Sequence, residues 1–282
     1  QDVDSHLPPA ACSPCRPLAL RWQGRRWPSA AALNGHRAIA PVRLETLSGP
    51  NAAHVECDGS RYRFDVEVLP LVPRLSPIKH RGRRGKVELK VHRRFGKPPP
   101  DRVRREGRAL ARAFRKATPK RLWSKQFLRP AAGVDTSAFG VTRIFRGVRS
   151  THEGVDIAGG ATDTVYAAND GRVLIVADDF FFIGNTVVLD HGEGLLTLYF
   201  HLDATTVREG EMLKRGDVLG TIGQTGRVTG PHLHFGVRYW GRYVDPNDML
   251  RFVPDAPLPG ALVGELLTPD AGSSVEVAHS PR

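Results

Sequence analysis

The stretch NTVVLDHGEGLLTLYFHL, residues 185–202, decides the fold class of the second half of the chain. It contains two runs of apolar and β-branched residues, separated by the turn-forming pair Glu193-Gly194. Two such runs joined by a short glycine-containing turn predict a pair of antiparallel β-strands. Similar runs recur between residues 130 and 250: VYAAN, GRVLIVADD, DVLGTIGQT and HLHFGVRYWGRYVDP. We therefore predict an all-β domain with an antiparallel sheet core over residues 130–250.

Composition divides the rest of the chain into four further segments. Residues 15–73 contain short β-like runs separated by Asn-Gly, Ser-Gly-Pro and Asp-Gly-Ser turn signals, which predicts a small β-rich N-terminal domain. Residues 74–129 form a basic linker, within which KPPPDRVRREGRALARAFRKATP predicts one amphipathic helix that starts after the prolines and Asp101. We expect a flexible N-terminal segment over residues 1–14 and a Pro/Gly/Ser-containing tail over residues 251–282.

The positive charge of the chain is concentrated in the predicted linker. The 282 residues include 41 Lys and Arg against 29 Asp and Glu, and residues 74–129 hold 21 of the basic residues but only three of the acidic ones. The segment is either a solvated linker or a surface attracted to anions. No pattern of base-stacking aromatic residues accompanies the arginines, so we expect no nucleic-acid partner. No apolar run approaches the roughly 20 residues that span a bilayer, so we expect no transmembrane segment.

Three cysteines, Cys12, Cys15 and Cys57, lie in the first 57 residues. One disulfide with one remaining thiol is the favoured interpretation and is typical of exported proteins, although the sequence leaves the pairing open. A Cys-x-x-Cys metal or redox site is the alternative, but no second pair of ligands lies nearby. The chain begins with Gln1 and shows no signal-peptide pattern, so we expect that any signal peptide was removed or not included.

Two histidines stand close together in TGPHLHFGV, residues 229–237. In a β-strand the side chains at positions i and i+2 project from the same face, so His232 and His234 point the same way while Leu233 points into the opposite layer. Two such imidazoles can share one site. Taken alone, the pattern is equally compatible with two exposed strand histidines.

The stretch RSTHEGVDIAGG, residues 149–160, contains possible partners for these histidines. His152 and Asp156 are separated by an even number of residues, so in an extended segment both side chains reach the same face. Together with His234 they form a set of nitrogen and oxygen ligands suited to zinc. Three protein ligands leave one coordination position for water, which is typical of catalytic rather than structural zinc sites.

A further histidine, His201, lies in LLTLYFHLD, residues 195–203. Strict alternation puts Leu196, Leu198 and Phe200 on one face of this strand and Thr197, Tyr199 and His201 on the other, more polar face. The pattern therefore predicts that His201 stands near a strand end on the polar side. An ordinary surface histidine is the simpler interpretation of this residue taken by itself, and a catalyst is the alternative.

The motifs HEGVD, LYFHLD and TGPHLHFGV, in this order, resemble the His-x-x-x-Asp, central histidine and His-x-His motifs of the lysostaphin-type, or LytM-like, zinc metallopeptidases of family M23. The similarity runs from about residue 139 to residue 248. The resemblance implies a LytM-like antiparallel core for the peptidase domain at residues 130–250, with one Zn²⁺ per catalytic domain. It implies His152, Asp156 and His234 as the zinc ligands and His201 and His232 as the catalytic histidines.

The resemblance also implies the function. A member of this family is a zinc-dependent endopeptidase that hydrolyses peptide bonds of peptidoglycan stem peptides or crossbridges, with a metal-activated water as nucleophile. The alternative is a non-catalytic LytM-like regulator or activator of another cell-wall hydrolase. An iron-dependent oxygenase is disfavoured, because its histidine and carboxylate ligands usually stand at i and i+2. We expect a periplasmic or secreted protein of the bacterial cell envelope, with residues 74–129 attracted to the anionic envelope surface.

Overall fold

A computed structural model of the chain describes residues 19–23, 25–32, 35–38, 49–57, 60–68, 98–145, 148–254 and 274–275. The chain divides into two compact units: Gln1–Val72 together with Asp255–Arg282, and Pro73–Pro254. The predicted flexible segment at residues 1–14 lies outside the described residues. So do Cys12 and Cys15, and the predicted disulfide with them.

The described residues of the first unit form a six-stranded sheet. Its strands are β1 (Ala19–Trp22), β2 (Arg25–Ala32), β3 (Gly35–Ala38), β4 (Gly49–Cys57), β5 (Ser60–Val68) and β18 (Ser274–Val275), in the order β18-β5-β4-β1-β2-β3. Neighbouring strands are antiparallel except for β18, which pairs in parallel with β5. Trp22, Trp27 and Ala53 are buried. The β-rich character predicted for the N-terminal part is confirmed, whereas β18 is a strand that the composition of the tail did not indicate.

The second unit is mostly antiparallel β-structure, which confirms the fold class predicted from residues 185–202. Its strands are β6 (Asp135–Ser137), β7 (Thr142–Phe145), β8 (Val148–Thr151), β9 (Val155–Ala158), β10 (Thr164–Tyr166), β11 (Gly171–Phe180), β12 (Gly184–Gly192), β13 (Leu195–Thr205), β14 (Met212–Leu213), β15 (Val218–Ile222), β16 (His232–Tyr239) and β17 (Arg242–Val244). Among the described residues of this unit, two helices, α1 (Pro100–Phe114) and α2 (Pro246–Arg251), accompany them. No helix in the described part of the chain is long and apolar enough to cross a membrane.

The short helix α2 was not predicted, although the sequence contains its start signal. The carboxylate of Asp245 accepts a hydrogen bond from the backbone N–H of Asn247, and Pro246 occupies the first turn. An aspartate cap followed by proline is a common helix beginning. Because only six residues follow before the helix ends, no apolar periodicity marks it.

The main sheet of the second unit has the order β14-β11-β12-β13-β16-β9-β6, with β10, β15 and β17 attached to it. The central strands are buried on both faces: residues 195–202 of β13 are all buried. The face of β13 that carries Thr197 and Tyr199 is therefore not exposed to solvent, because neither residue has any exposed surface. Their hydroxyl oxygens lie 3.0 Å apart and form a hydrogen bond within the buried layer.

Helix α1 covers part of one face of this sheet. Prolines at its start and Asp101 in its first turn favour helix initiation there, and its small and apolar side chains repeat at helical spacing. Ala113 is buried, and Ala109, Leu110 and Phe114 pack against Leu196, Leu198 and other residues of the same core. The predicted amphipathic helix is thus confirmed. The sequence placed it in a linker, but its apolar side belongs to the core of the second unit.

The segment that follows α1 covers the opposite face. Trp123 and Phe127 are buried, and the backbone N–H of Leu122 donates to the carbonyl of His191 over 2.9 Å. Burial lowers the pKa of His191 to about 4, so its ring is neutral at pH 7. Its Nδ1–H donates to the carbonyl of Asp170 and its Nε2 lies 2.7 Å from the hydroxyl of Thr197. His191 is therefore a structural residue of the core. The other domain boundaries given above stay predictions.

Candidate metal centre

Strand pairing brings Asp156 and His234 together. In the antiparallel pair of β9 and β16, His234 lies directly opposite Asp156, and on its other side His234 lies opposite Phe200 of β13. Residues directly opposite each other in an antiparallel pair project from the same face with Cβ atoms roughly 5 Å apart. The shared face and the short separation follow from the register alone.

His152 reaches the same point from the connection between β8 and β9. The sequence predicted one extended segment from His152 to Asp156, but the strand begins only at Val155, and the chain bends at Gly154. A Cβ atom at Gly154 would lie 2.5 Å from the carbonyl oxygen of Phe235 and 2.6 Å from Nε2 of His234. The bend therefore needs glycine, because any side chain would collide with the neighbouring strand and with the imidazole of His234.

Three donor atoms converge in this arrangement. Nε2 of His152 lies 2.9 Å from Oδ1 of Asp156 and 3.1 Å from Nδ1 of His234, and Nδ1 of His234 lies 2.9 Å from Oδ1 of Asp156. Ligands of tetrahedral zinc at about 2.0–2.1 Å from the metal are separated from one another by about 3.3 Å. The triangle of donor atoms is close to that size, and its nitrogen and oxygen atoms are a donor set that zinc accepts.

Hydrogen bonds fix the tautomer of His152. Its Nδ1 lies 2.8 Å from the carbonyl oxygen of Ala138 and 3.3 Å from the hydroxyl of Ser137. A carbonyl only accepts, so Nδ1 carries the proton and Nε2 keeps its lone pair for a metal. The ring of His234 is held differently, since it stacks on Phe200 with ring centroids 5.3 Å apart and an angle of 5° between the planes.

The electrostatics favour the protonation states that metal ligands require. Burial alone would raise the pKa of Asp156, but the adjacent imidazoles of His152 and His234, whose nitrogens face its Oδ1, outweigh burial and lower this pKa well below its usual range. Burial lowers the pKa of His234. An ionised carboxylate and a neutral imidazole are the forms that bind zinc.

His232 lies beside this cluster without joining it. Its Nδ1–H donates to the carbonyl oxygen of Gly230 over 2.8 Å, which leaves the lone pair on Nε2. That Nε2 lies 3.7 Å from Oδ1 of Asp156, beyond hydrogen-bonding distance. His232 and His234 do share a face, as predicted, and Leu233 between them is fully buried in the opposite layer.

A β-bulge brings His201 to the same face, which the alternation pattern did not predict. Phe200 and His201 together lie opposite Thr186 of β12, because the register shifts between Asn185 and Val187. His201 takes the left-handed φ of 65°, a conformation in which histidine is tolerated more often than most residues. Strict alternation would turn its ring away from His232 and His234. A bulge re-aims side chains in this way.

The bulge gives His201 a defined environment. Its ring centroid lies 4.9 Å from that of His232 and 6.2 Å from that of His234. Its Nδ1–H donates to the carbonyl oxygen of Thr225 over 2.9 Å. Burial, assisted by the two neighbouring imidazoles, lowers the pKa of His201 to about 3. His201 is 8% exposed, so the interpretation as an ordinary surface histidine is wrong.

The structure thus brings together all five residues that the sequence singled out. Sequence reasoning missed the groups that orient them, namely the carbonyls of Ala138, Thr225 and Gly230, since a backbone acceptor leaves no mark in a sequence. It also missed the steric role of Gly154. Here a signal existed: a glycine stands between two candidate ligands at the point where the chain must bend.

Comparison with known proteins agrees with this geometry. A family model described as Peptidase family M23 matches residues 150–246, which include all five of these residues. Residues 150–246 form a peptidase family M23 domain. A solved structure of a Pseudomonas aeruginosa protein assigned to peptidase M23 superposes with a TM-score of 0.61 at 26% identity, covering 83% of this chain and 87% of that one. The M23 domain therefore has the fold of the family.

Two curated relatives of the M23 domain are named for different functions, one as an endopeptidase and one as an activator. Peptidoglycan DD-endopeptidase ShyB of Vibrio cholerae is 42% identical over 94 residues, which are 33% of this chain and 22% of that protein. Murein hydrolase activator NlpD of Escherichia coli is 34% identical over 114 residues, which are 40% of this chain and 29% of that protein. The matched segments thus span less than a third of either relative. The family includes proteins named as hydrolases and proteins named as activators.

The contact between Gly154 and His234 predicts a specific effect on zinc binding. In Gly154→Ala the added methyl group must displace His234, so we expect zinc affinity to fall about 10- to 100-fold, as for changes that misorient a ligand. Competition against a chromophoric chelator measures the affinity. Gly160→Ala is the matched control, because a Cβ there meets no atom within 4 Å and should leave affinity unchanged. Equal affinity in wild type and Gly154→Ala would contradict this account of the bend.

Proposed function

We propose that the M23 domain of this chain is a zinc-dependent endopeptidase that hydrolyses peptide bonds of peptidoglycan. The observation that carries the proposal is the coexistence of two kinds of histidine in one buried cluster. His152 and His234 each have a ring nitrogen 2.9 Å from Oδ1 of Asp156. His232 and His201 stand beside that triangle: Nε2 of His232 lies 3.7 Å from the same oxygen, and the Nδ1–H of His201 donates to the carbonyl of Thr225. A structural metal site would need the ligands alone.

The ligand set would be His152, Asp156 and His234, with His201 and His232 as the catalytic histidines. Zinc, when bound there, supplies a Lewis acid that acidifies water and polarises a peptide carbonyl. In both catalytic histidines the Nδ1–H donates to a backbone carbonyl, which leaves Nε2 as a proton acceptor. Nε2 of His232 can take a proton from the attacking water, and the resulting Nε2–H can donate to the developing oxyanion or the leaving amine. The low pKa of His201 keeps its ring neutral, so its Nε2 can accept a hydrogen bond from that water and orient it.

The charge of the cluster suits this chemistry. Asp156 contributes one negative charge, and the four imidazoles are neutral in this proposal, so a bound dication leaves a net positive site that attracts an oxyanion. The ring of Phe200 stacks on one face of the His234 ring and excludes water from it. The buried surroundings lower the local dielectric constant and so strengthen each electrostatic interaction. The similarity to a protein named as a DD-endopeptidase supports peptidoglycan crosslinks of the D,D class as the substrate.

A second candidate is a regulatory role as an activator of another wall hydrolase. The similarity to the NlpD activator favours it. A purely regulatory domain has no need for a complete ligand set or for two further histidines with fixed tautomers. Either function acts on the cell wall, so the proposal includes a periplasmic or secreted location in the bacterial envelope.

Digestion of purified sacculi separates these two functions. We expect the zinc-loaded protein to release soluble muropeptides, which mass spectrometry identifies, and His152→Ala to release none. His201→Ala should retain zinc and lose about 100-fold in rate, the usual cost when a reacting group is no longer held in position. Release of nothing by the wild type, together with stimulation of a separate wall hydrolase, would overturn the enzyme and favour the activator.

The outward side of α1 provides the anionic-surface contact in this proposal. Arg105, Arg108, Arg112 and Arg115 are exposed, and they lie at helical spacing opposite the face that packs on the sheet. Within the described residues no carboxylate lies at ion-pair distance from any of these four. In contrast, Arg102 and Arg104 pair with acidic groups. We call these four residues the α1 arginine stripe, and we propose that it attracts the anionic envelope surface.

A charge-matched pair of variants tests the stripe. We expect Arg108→Gln with Arg112→Gln to weaken sacculus binding about three- to tenfold at low salt, with a smaller effect at high salt because exposed charges are screened. Hydrolysis of a small soluble peptide should not change. The control, Arg208→Gln with Arg242→Gln, removes the same charge from other exposed positions and should bind nearly as the wild type does. If both double variants weaken sacculus binding equally, the effect depends on the net charge of the protein and not on the α1 arginine stripe.

A further inference from the structure

The loop between β15 and β16 touches the catalytic cluster through Thr225. Its carbonyl oxygen accepts the Nδ1–H of His201 over 2.9 Å. Its side-chain hydroxyl donates to the carbonyl of Leu202 over 2.7 Å and accepts from the backbone N–H of Asn185 over 2.9 Å. One residue therefore contacts the His201 ring with its backbone and fastens itself to two strands with its side chain.

The two strands that the hydroxyl joins are the ones that form the bulge. Leu202 directly follows His201 in β13, and Asn185 is its ladder partner in β12 at the point where the register shifts. The hydroxyl of Thr225 thus bonds to both sides of the irregularity that turns His201 toward the metal centre. A strand bulge leaves backbone groups without their regular ladder partners, and here a side chain supplies the partners.

The fit around Thr225 is tight. A Cβ atom at Gly184 would lie 2.3 Å from the Thr225 hydroxyl oxygen, and a Cβ atom at Gly226 would lie 2.4 Å from the backbone nitrogen of Gly184. The backbone N–H of Arg227 also donates to the carbonyl of Phe182 over 3.0 Å. Both glycines have positive φ values, 63° and 73°. The loop is therefore held against the β11–β12 hairpin in one position.

We propose that the Thr225 hydroxyl is a positioning group: it fixes the loop so that the Thr225 carbonyl holds the proton of His201 on Nδ1 and keeps Nε2 as the acceptor facing the cluster. Thr225 touches no ligand atom of the metal centre and acts only through His201. The inference deepens the proposed function and rests on it for the catalytic role of His201. The tautomer itself does not depend on that role.

The direct test reads the tautomer without turnover. In the zinc-loaded full chain, long-range ¹H–¹⁵N spectra distinguish Nδ1–H from Nε2–H, and the His201 signals are identified by their loss in His201→Gln. We expect a single Nδ1–H tautomer in the wild type and in Thr225→Ser, which keeps the hydroxyl. In Thr225→Val, which replaces only the hydroxyl by a methyl group, we expect both ring nitrogens to shift toward tautomer-averaged values. An unchanged Nδ1–H tautomer in Thr225→Val would overturn the proposal.

Kinetics supply the second readout. We expect kcat of Thr225→Val to fall roughly tenfold, less than on removal of a general acid–base group, with KM and zinc content unchanged. Thr197→Val is the matched control, because it also removes a buried hydroxyl with two partners, His191 and Tyr199, but on the opposite face of the sheet. It should lower the melting temperature and leave kcat unchanged. An equal fall of kcat in both variants would make Thr225 merely structural.

Two further comparisons distinguish a failure of the positioning role from a folding defect and from a failure of the proposed function. If Thr225→Val does not fold, Thr225→Ser and Thr225→Ala replace the comparison, since they differ by one oxygen atom, and equal tautomer spectra for these two would overturn the proposal. If the wild type hydrolyses no peptidoglycan peptide but shows the expected tautomer shift in Thr225→Val, the proposed function fails while the positioning contact stands.

Discussion

The register between β9, β16 and β13 is the constraint on which the rest of the site depends. Asp156, His234 and Phe200 lie in one row across three antiparallel strands, which fixes the carboxylate, one imidazole and the ring that supports it. A shift of one residue in β16 would replace His234 by Leu233 or Phe235 and turn both histidines of that strand to the other face. The fully buried Leu233 and Phe235 oppose this shift, so packing of the core also specifies the metal centre.

Two irregularities of the backbone place the site residues that the regular sheet does not bring to the metal centre. The bend at Gly154 brings His152 back onto Asp156, and the bulge at His201 turns that ring out of its alternating position. Positive φ at a non-glycine residue costs free energy and persists where the surroundings enforce it, often at functional sites. Here the enforcing groups are the backbone of Ile183, which accepts from the N–H of His201, and the loop that contains Thr225.

Period-two patterns were enough to predict the antiparallel core and the shared face of His232 and His234. The positions of Asp156 and His152 near them came from motif spacing. The environment of His201 could not be derived from alternation, because a bulge breaks the period at the residue of interest. The role of residues 98–129 was also out of reach: charge counts treat α1 as a basic linker, whereas its apolar side packs on the sheet. Composition indicates which side of a helix faces solvent, but it does not indicate which residues pack against the other side.

The central claim is a division of labour between His232 and His234, which share one face of β16. Nδ1 of His234 faces Asp156, whereas Nδ1–H of His232 donates to the carbonyl of Gly230. Zinc content of the purified variants tests it most directly. Measured by metal analysis after dialysis at equal free zinc, His234→Ala should lose the metal and His232→Ala should retain one zinc per chain, with both inactive on sacculi. Equal loss of zinc in the two variants would contradict the account and make the pair simple ligands.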